Sequence, residues 1–275
     1  METGQKIILK NNNISESIYE LSIQVNLNGL SFFVLNSMSS KIDFLESVIF
    51  DKKQTPQALL DQLTHCFNSL EKLHKQFRKV TIIHDNELAT LVPKPLFDET
   101  NLVDYLKFNT KILKTDFITY DHLSIADIMV VYVPLMNINN FIFDRFGSFE
   151  YKHSTTIILN RILTLEKNSN LLKMYLNIEV SHFEIIVVEN NKLKFYNRFE
   201  YNTKEDFIYY LLFTAEQLQL NPEKFPVVLM GSVDENDELY QIAYKYVRHV
   251  SILSKDAMLY SSDTSSKHFT LLNSL

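Results

Sequence analysis

Two stretches of the chain carry the same succession of hydrophobic periods. From Tyr19 the apolar positions fall at every second residue, with Tyr19, Leu21, Ile23, Val25 and Leu27 on one side and Glu20, Ser22, Gln24 and Asn26 on the other. That is the spacing of a half-buried strand. Asn28-Gly29 predicts a type I′ hairpin turn, followed by a return strand from Leu30 to Leu35 and a third strand from Ile42 to Phe50. Thr55-Pro56 then opens a helix, with a capping hydroxyl and a proline at the first helical position. The helix carries Leu59, Leu63, Cys66, Phe67, Leu70, Leu73 and Phe77 on one face, and Val80 to Ile83 follows as a short buried strand.

The second stretch runs from Lys173 to Ser232. Met174, Leu176, Ile178 and Val180 alternate with Tyr175, Asn177, Glu179 and Ser181. Phe183, Ile185 and Val187 alternate with the equally apolar Ile186 and Val188, which predicts a strand inside the sheet. Glu189-Asn190-Asn191-Lys192 is a polar turn in which asparagine tolerates left-handed backbone, and Leu193, Phe195 and Phe199 resume the alternation. At Thr203 the period changes to that of a helix, with a hydroxyl N-cap, Asp206 three residues on, and Phe207, Leu211, Ala215 and Leu218 on one stripe. Pro226 to Gly231 is a continuous apolar run, expected to pair in parallel with an earlier strand.

The order strand, strand, strand, helix, strand therefore occurs twice, near residues 18–84 and 173–231, which predicts an internal duplication and an α/β fold of two mixed sheets. Between the copies lie a loop with Pro93 and Pro95, a small helix near Asp98 to Phe108, a strand near Ile128 to Val133 and a helix near Asn139 to Phe146. A strand near Ser148 to Lys152 and a helix from Ser154 to Lys167 are read as introducing the second copy, and a helix from Glu235 to Arg248 and a strand from His249 to Leu253 as closing it. The expected organisation is a mobile tail over 1–13, a first lobe over 14–147, a second over 148–255 and a surface tail over 256–275.

Composition narrows the chemistry. Of 275 residues, 46% are hydrophobic and 22% charged, which suits a globular protein with a large core. No apolar run approaches the roughly 20 residues of a membrane helix, and Met1 to Asn13 lacks the apolar segment of a signal peptide, so the expected compartment is cytoplasmic. A single cysteine, Cys66, fits reducing surroundings and falls on an apolar helix face, where it reads as core. The net charge of −6 without a basic run argues against general nucleic-acid or anionic-membrane binding and leaves room only for a local patch. The eight histidines show no zinc-type pairing, no Ser/His/Asp set has a nucleophile turn, and Asp234, Asp237 and Glu238 read as a helix start rather than a metal site. No catalytic residue and no metal ligand is assigned. Tyr196, Tyr201 and Tyr209 fall on the opposite phase from Phe195, Phe199 and Phe207 and form the candidate partner surface.

The duplicated unit resembles the ribonuclease-H-like fold, and its doubling resembles the actin, sugar-kinase and Hsp70 superfamily. Several segments are closer still to a Bacteroidetes family known only as domain of unknown function 3822. They are Leu21-Ser22-Ile23-Gln24-Val25 with Asn28-Gly29-Leu30-Ser31-Phe32, Leu91-Val92-Pro93, Tyr196-Asn197-Arg198-Phe199 with Asp206-Phe207-Ile208-Tyr209-Tyr210, and Gln217-Leu218 with Leu220-Asn221-Pro222. The resemblance implies an actin-like ATPase fold and no established activity.

In active members of that superfamily each hairpin carries an acid and a glycine for magnesium and phosphate, and a glycine pair holds the adenosine. Here the first hairpin strand, Ser22 to Asn26, has no acid; the second has Glu179 but no glycine in its turn; Gly231-Ser232 offers one glycine where two are usual. The leading expectation is a pseudoenzyme without cofactor that binds another protein or itself, similar in logic to actin-like adaptors of pilus and secretion machines. The alternative is a nucleotide-binding or phosphotransfer enzyme in which Glu179, Ser181 and Gly231 lie near magnesium ATP in the cleft between the lobes.

Overall fold

The computed structural model describes residues 18–254, 257, 260 and 265–275. The expected N-terminal tail lies outside them. The chain divides into two compact units, Met1–Ile158 with Leu271–Leu275, and Leu159–Thr270.

The first unit is built on a five-stranded sheet of β1 (Tyr19–Asn26), β2 (Gly29–Asn36), β3 (Lys41–Ile49), β4 (Lys79–His84) and β8 (Glu150–His153), in the order β3-β2-β1-β4-β8. β1 to β3 form the antiparallel meander, and β1, β4 and β8 run parallel. Helices α1 (Pro56–Ser69) and α3 (Met136–Phe146) accompany the sheet, and Leu59, Leu63 and Phe67 of α1 with Ile138 and Ile142 of α3 join Leu21, Ile23, Val25 and Ile82 in one core. Between β4 and α3 the chain inserts a three-stranded antiparallel sheet, β5 (Ala89–Pro93), β6 (Thr119–Leu123) and β7 (Ile128–Tyr132), with the short helix α2 (Leu102–Leu106). The two-residue period of β7 sends Val130 and Tyr132 into the main core and Met129 and Val131 into a satellite core with Val92 and Leu106.

The second unit repeats the plan. β9 (Lys173–Ile178), β10 (His182–Glu189), β11 (Lys192–Glu200), β12 (Pro226–Gly231) and β13 (His249–Ile252) take the order β11-β10-β9-β12-β13, with the same alternation of antiparallel and parallel pairs. Helix α5 (Lys204–Gln217) occupies the place of α1, and α6 (Glu238–Tyr246) that of α3. At the start of α5 the Thr203 hydroxyl accepts from the Asp206 amide while the Asp206 carboxylate accepts from the Thr203 amide, the reciprocal cap expected from the sequence. The β10–β11 turn places Asn190 and Asn191 at φ 51° and 55°, the left-handed pair of a tight hairpin.

Four expectations are corrected. The strand near residue 150 is β8, the fifth strand of the first sheet, paired in parallel with β4 and equivalent to β13 of the second, so the division falls after Ile158 within α4 (Ser154–Leu165) rather than at Gly147. The first hairpin turns on Leu27-Asn28, and Gly29 is needed because a β-carbon there would stand 2.7 Å from the Val48 carbonyl oxygen of β3. Helix α1 ends at Leu70 instead of continuing to Phe77; the Ser69 hydroxyl bonds back to the His65 carbonyl, and a 3₁₀ turn over Glu71–His74 buries Leu73. The end of the expected tail over 256–275 packs into the fold, while residues 261–264 of its Ser-rich stretch lie outside the described residues. Phe269, Leu271 and Leu272 of α7 (Phe269–Leu272) are buried, and in the first unit the Ser274 hydroxyl lies 2.7 Å from that of Ser22 on β1.

Among the described residues no helix is long and apolar enough to cross a membrane.

Candidate functional site

In sheets of this kind ligands bind beyond the carboxyl ends of the parallel strands. In the first unit those ends are Asn26, His84 and His153, and the residues just past them form a dense polar network. Asp85, directly after β4, is 4% exposed. Its carboxylate accepts from Asn26 Nδ2 at 2.8 Å, Gln24 Nε2 at 3.3 Å and Ser154 Oγ at 3.2 Å. The amides that stand where a magnesium-holding acid would be sought on β1 are therefore donors to an acid on the neighbouring strand. Their own carbonyl oxygens are neutral, and both amides donate to Asp85.

A second carboxylate sits at the amino end of α4. Asp121, from β6, accepts from the His153 amide at 2.8 Å, Thr156 Oγ1 at 2.8 Å and the Tyr132 hydroxyl at 3.2 Å. The Thr155 amide is taken by His153 Nδ1 at 3.2 Å, which leaves the proton on Nε2 to meet the Asn86 carbonyl at 3.2 Å. The amino end of a helix is a natural phosphate site because its amides lack internal partners. Here the Asp121 carboxylate takes the His153 amide and the His153 imidazole takes the Thr155 amide.

His84 is held in one neutral tautomer. Its Nδ1 accepts from the Leu135 amide at 3.3 Å and its Nε2–H donates to Asn139 Oδ1 at 2.9 Å. Burial pulls its pKa down to about 4, against the opposing hydrogen bond to Asn139. The unfolded chain then binds a proton first as the pH falls, so stability present above the ordinary value of 6.5 is lost progressively down to about 4. The loss from this residue is expected to reach about 3 kcal/mol. Urea denaturation at stepped pH measures it, and His84→Gln is expected to flatten the slope in that window.

In the second unit Glu179, Ser181 and Gly231 do come together at one end of the sheet. Glu179 and Ser181 form the β9–β10 turn, closed by the Glu179 amide on the His182 carbonyl at 2.9 Å, and Gly231 pairs opposite Ile178. The Ser232 amide donates to the Ile178 carbonyl at 2.7 Å, and the Tyr201 hydroxyl donates to the Glu179 carbonyl at 2.8 Å. Gly231 has a packing reason to be glycine. Its φ is +84°, and a β-carbon would meet the Ile178 oxygen at 2.2 Å. Open backbone amides for a phosphate do not follow from it.

The buried acid of this sheet is Glu184, whereas Glu179, the acid expected near the ligand, is half-buried. Glu184 accepts from Asn177 Nδ2 at 2.8 Å, with His182 at 3.9 Å and Arg198 at 4.0 Å completing a charged cluster on the face opposite α5. An acid in phase with His182 inside an otherwise apolar strand was the available signal. On the same face Glu166 binds Lys173 at 2.8 Å and the Tyr175 hydroxyl at 2.6 Å. Burial opposes ionisation of that carboxyl, but Lys173, Tyr175 and Ser169 outweigh it and hold its pKa below the ordinary value.

The three tyrosines do not make one surface. Tyr201 packs its ring against Phe183 and Phe207 and belongs to the core. Tyr196 is half-buried on the face of β11 away from α5, whereas Tyr209 lies on α5, 59% exposed and stacked on Phe213. Helix α5 covers the other face of β11 with Tyr210 stacked on Phe199, so the two exposed phases point to different sides. Cys66 is buried as expected, and burial raises its thiol pKa. Asp237 sits at the N-cap of α6 but turns its carboxylate to the Asp234 amide at 2.6 Å instead of capping the helix.

Both carboxylates at the strand ends of the first unit are bound to internal donors, and the hairpin of the second closes on itself.

Comparison with solved structures finds this fold in actin-like proteins. A protein from Bacteroides thetaiotaomicron VPI-5482, with an actin-like ATPase fold and unknown function, matches with a TM-score of 0.77 and 22% identity over 89% of this chain and 94% of that one. The PilM–PilN type IV pilus biogenesis complex contains a chain matching at 0.63, with 10% identity over 93% and 97%. The ethanolamine utilization protein EutJ from Carboxydothermus hydrogenoformans matches at 0.50, with 8% identity over 95% and 90%. A search of curated proteins finds no match. The model of the family described as protein of unknown function (DUF3822) matches residues 9–250. The chain thus belongs to the DUF3822 family and carries its resemblance to actin-like ATPases in the fold.

Proposed function

We propose that this protein is an actin-fold module without ATPase activity that works by binding another cytoplasmic protein or a second copy of itself. The observation that carries the reading is the capture of the α4 amino end by Asp121 and His153. With those donors satisfied internally, a phosphate would have to displace two buried partners before gaining any bond. The likeness to a chain of the PilM–PilN complex supports a role in assembly by analogy of fold alone. The convergence of Glu179, Ser181 and Gly231 keeps a nucleotide-binding or phosphotransfer enzyme as the second reading.

A thermal-shift titration separates the two. Magnesium ATP up to millimolar concentration is expected to leave the melting temperature unchanged, whereas a saturable rise abolished by Glu179→Ala supports the enzyme. Light scattering across protein concentration, alone and with purified partners, tests the module; a strict monomer that binds none of them contradicts it.

A further inference from the structure

The insertion of the first unit carries a cluster of apolar and basic side chains on two successive turns. The chain leaves α2 through a turn closed by the Thr110 amide and hydroxyl on the Leu106 carbonyl, then makes a second turn in which Asp116 Oδ2 accepts from the Leu113 amide at 2.8 Å. Leu106, Ile112 and Ile118 fill the satellite core from inside. Phe108, Leu113 and Phe117 are surplus to that core and face outward, 82%, 61% and 48% exposed. Three exposed large apolar residues within ten positions depart from a surface where such groups are normally scattered singly.

Lysines alternate with them. Lys107 shares its ammonium with Asp104 at 2.9 Å and lies 5.0 Å from the Phe108 ring centroid. Lys111 and Lys114 have no carboxylate partner among the described residues. The one acid of the segment, Asp116, is turned inward onto its own loop. The loop is therefore locally basic on a chain of net charge −6. Charges elsewhere are screened beyond roughly 10 Å at ordinary ionic strength.

We propose that the 107–117 loop docks the protein on an anionic lipid surface, with Phe108, Leu113 and Phe117 entering the headgroup and acyl boundary and Lys107, Lys111 and Lys114 meeting lipid phosphates. Side chains projecting from the tips of turns suit a headgroup layer, which accepts them without a matching shape. The free ammonium groups between them have the sign such a layer attracts. A protein partner would need a complementary acidic surface shaped around two separate turns. The inference goes beyond the assembly role and does not depend on the absence of nucleotide chemistry.

Flotation of the full chain at about 0.1 M salt tests it, using vesicles of equal parts phosphatidylglycerol and phosphatidylcholine against vesicles of phosphatidylcholine alone. The protein is expected to float with the anionic vesicles only and to be released by salt. Lys111→Glu with Lys114→Glu is expected to lower the bound-to-free ratio by about 25-fold or more, at about fivefold for each lysine lost. Phe108→Ser is expected to lower it on the order of tenfold. Unchanged melting temperatures identify the variants as folded, which their exposed positions favour. Failure of the parent protein to float, or flotation of the charge-reversed variant as well as the parent, overturns the proposal. So does self-association lost in Phe108→Ser without any vesicle binding, which assigns the patch to a protein contact instead.

Discussion

Gly231→Ala is expected to lower the stability of the second unit by about 3–5 kcal/mol, a large fraction of what a domain possesses. Two penalties coincide at this position. The backbone sits at φ +84°, where an L side chain is strained, and the new methyl would stand 2.2 Å from the Ile178 carbonyl oxygen and 2.9 Å from its nitrogen. Both neighbours are backbone of β9, so relief requires β9 and β12 to separate where they pair. Gly29→Ala is the internal control. Its obstacle is the Val48 oxygen at 2.7 Å, and its φ lies outside the left-handed region, so a smaller loss of about 1–3 kcal/mol is expected. Urea denaturation followed by far-UV circular dichroism measures both. A loss below about 1 kcal/mol in Gly231→Ala would contradict the packing account of this glycine.

Asp121→Ala is expected to cost about 3–5 kcal/mol in the first unit. Its carboxylate is the acceptor for the His153 amide, the Thr156 hydroxyl and the Tyr132 hydroxyl, and removing it leaves these donors buried without their partner. It also unties β6 from His153 and Thr156 at the start of α4. Asp121→Asn keeps one acceptor oxygen and turns the other position into a donor, so it is expected to lie between alanine and the parent. Equilibrium unfolding of the three proteins under one buffer gives the ordering. If alanine and asparagine prove equally mild, the carboxylate is not what holds this corner together.

The repeated plan was readable because its signals are local. The alternation of β1, the turn at Asn190-Asn191 and the reciprocal cap of Thr203 and Asp206 each lie within a few residues. β5 and β6 escaped because they are short and lack alternation; Thr119 to Leu123 reads Thr-Tyr-Asp-His-Leu, buried only at its two ends. β8 is legible as a strand but its sheet is not, since a parallel partner is chosen by long-range packing and leaves no mark on four residues. The candidate site suffered most. Asp85 meets Asn26 across 59 positions and Asp121 meets His153 across 32, so neither pairing has a local signature. The rule that polar residues gather beyond parallel strand ends could have pointed to His84-Asp85-Asn86. Glu179 drew attention because it occupies a motif position, while the structurally committed acid, Glu184, lay hidden within an apolar run.

Under the proposed function, the polar ends of the two sheets hold no triphosphate. The most direct measurement follows the phosphorus resonances of magnesium ATP as the purified protein is added. The account predicts line widths and shifts for all three phosphates that stay as they are without protein. Lines that broaden to saturation, and sharpen again when Glu179→Ala replaces the parent protein, would contradict it.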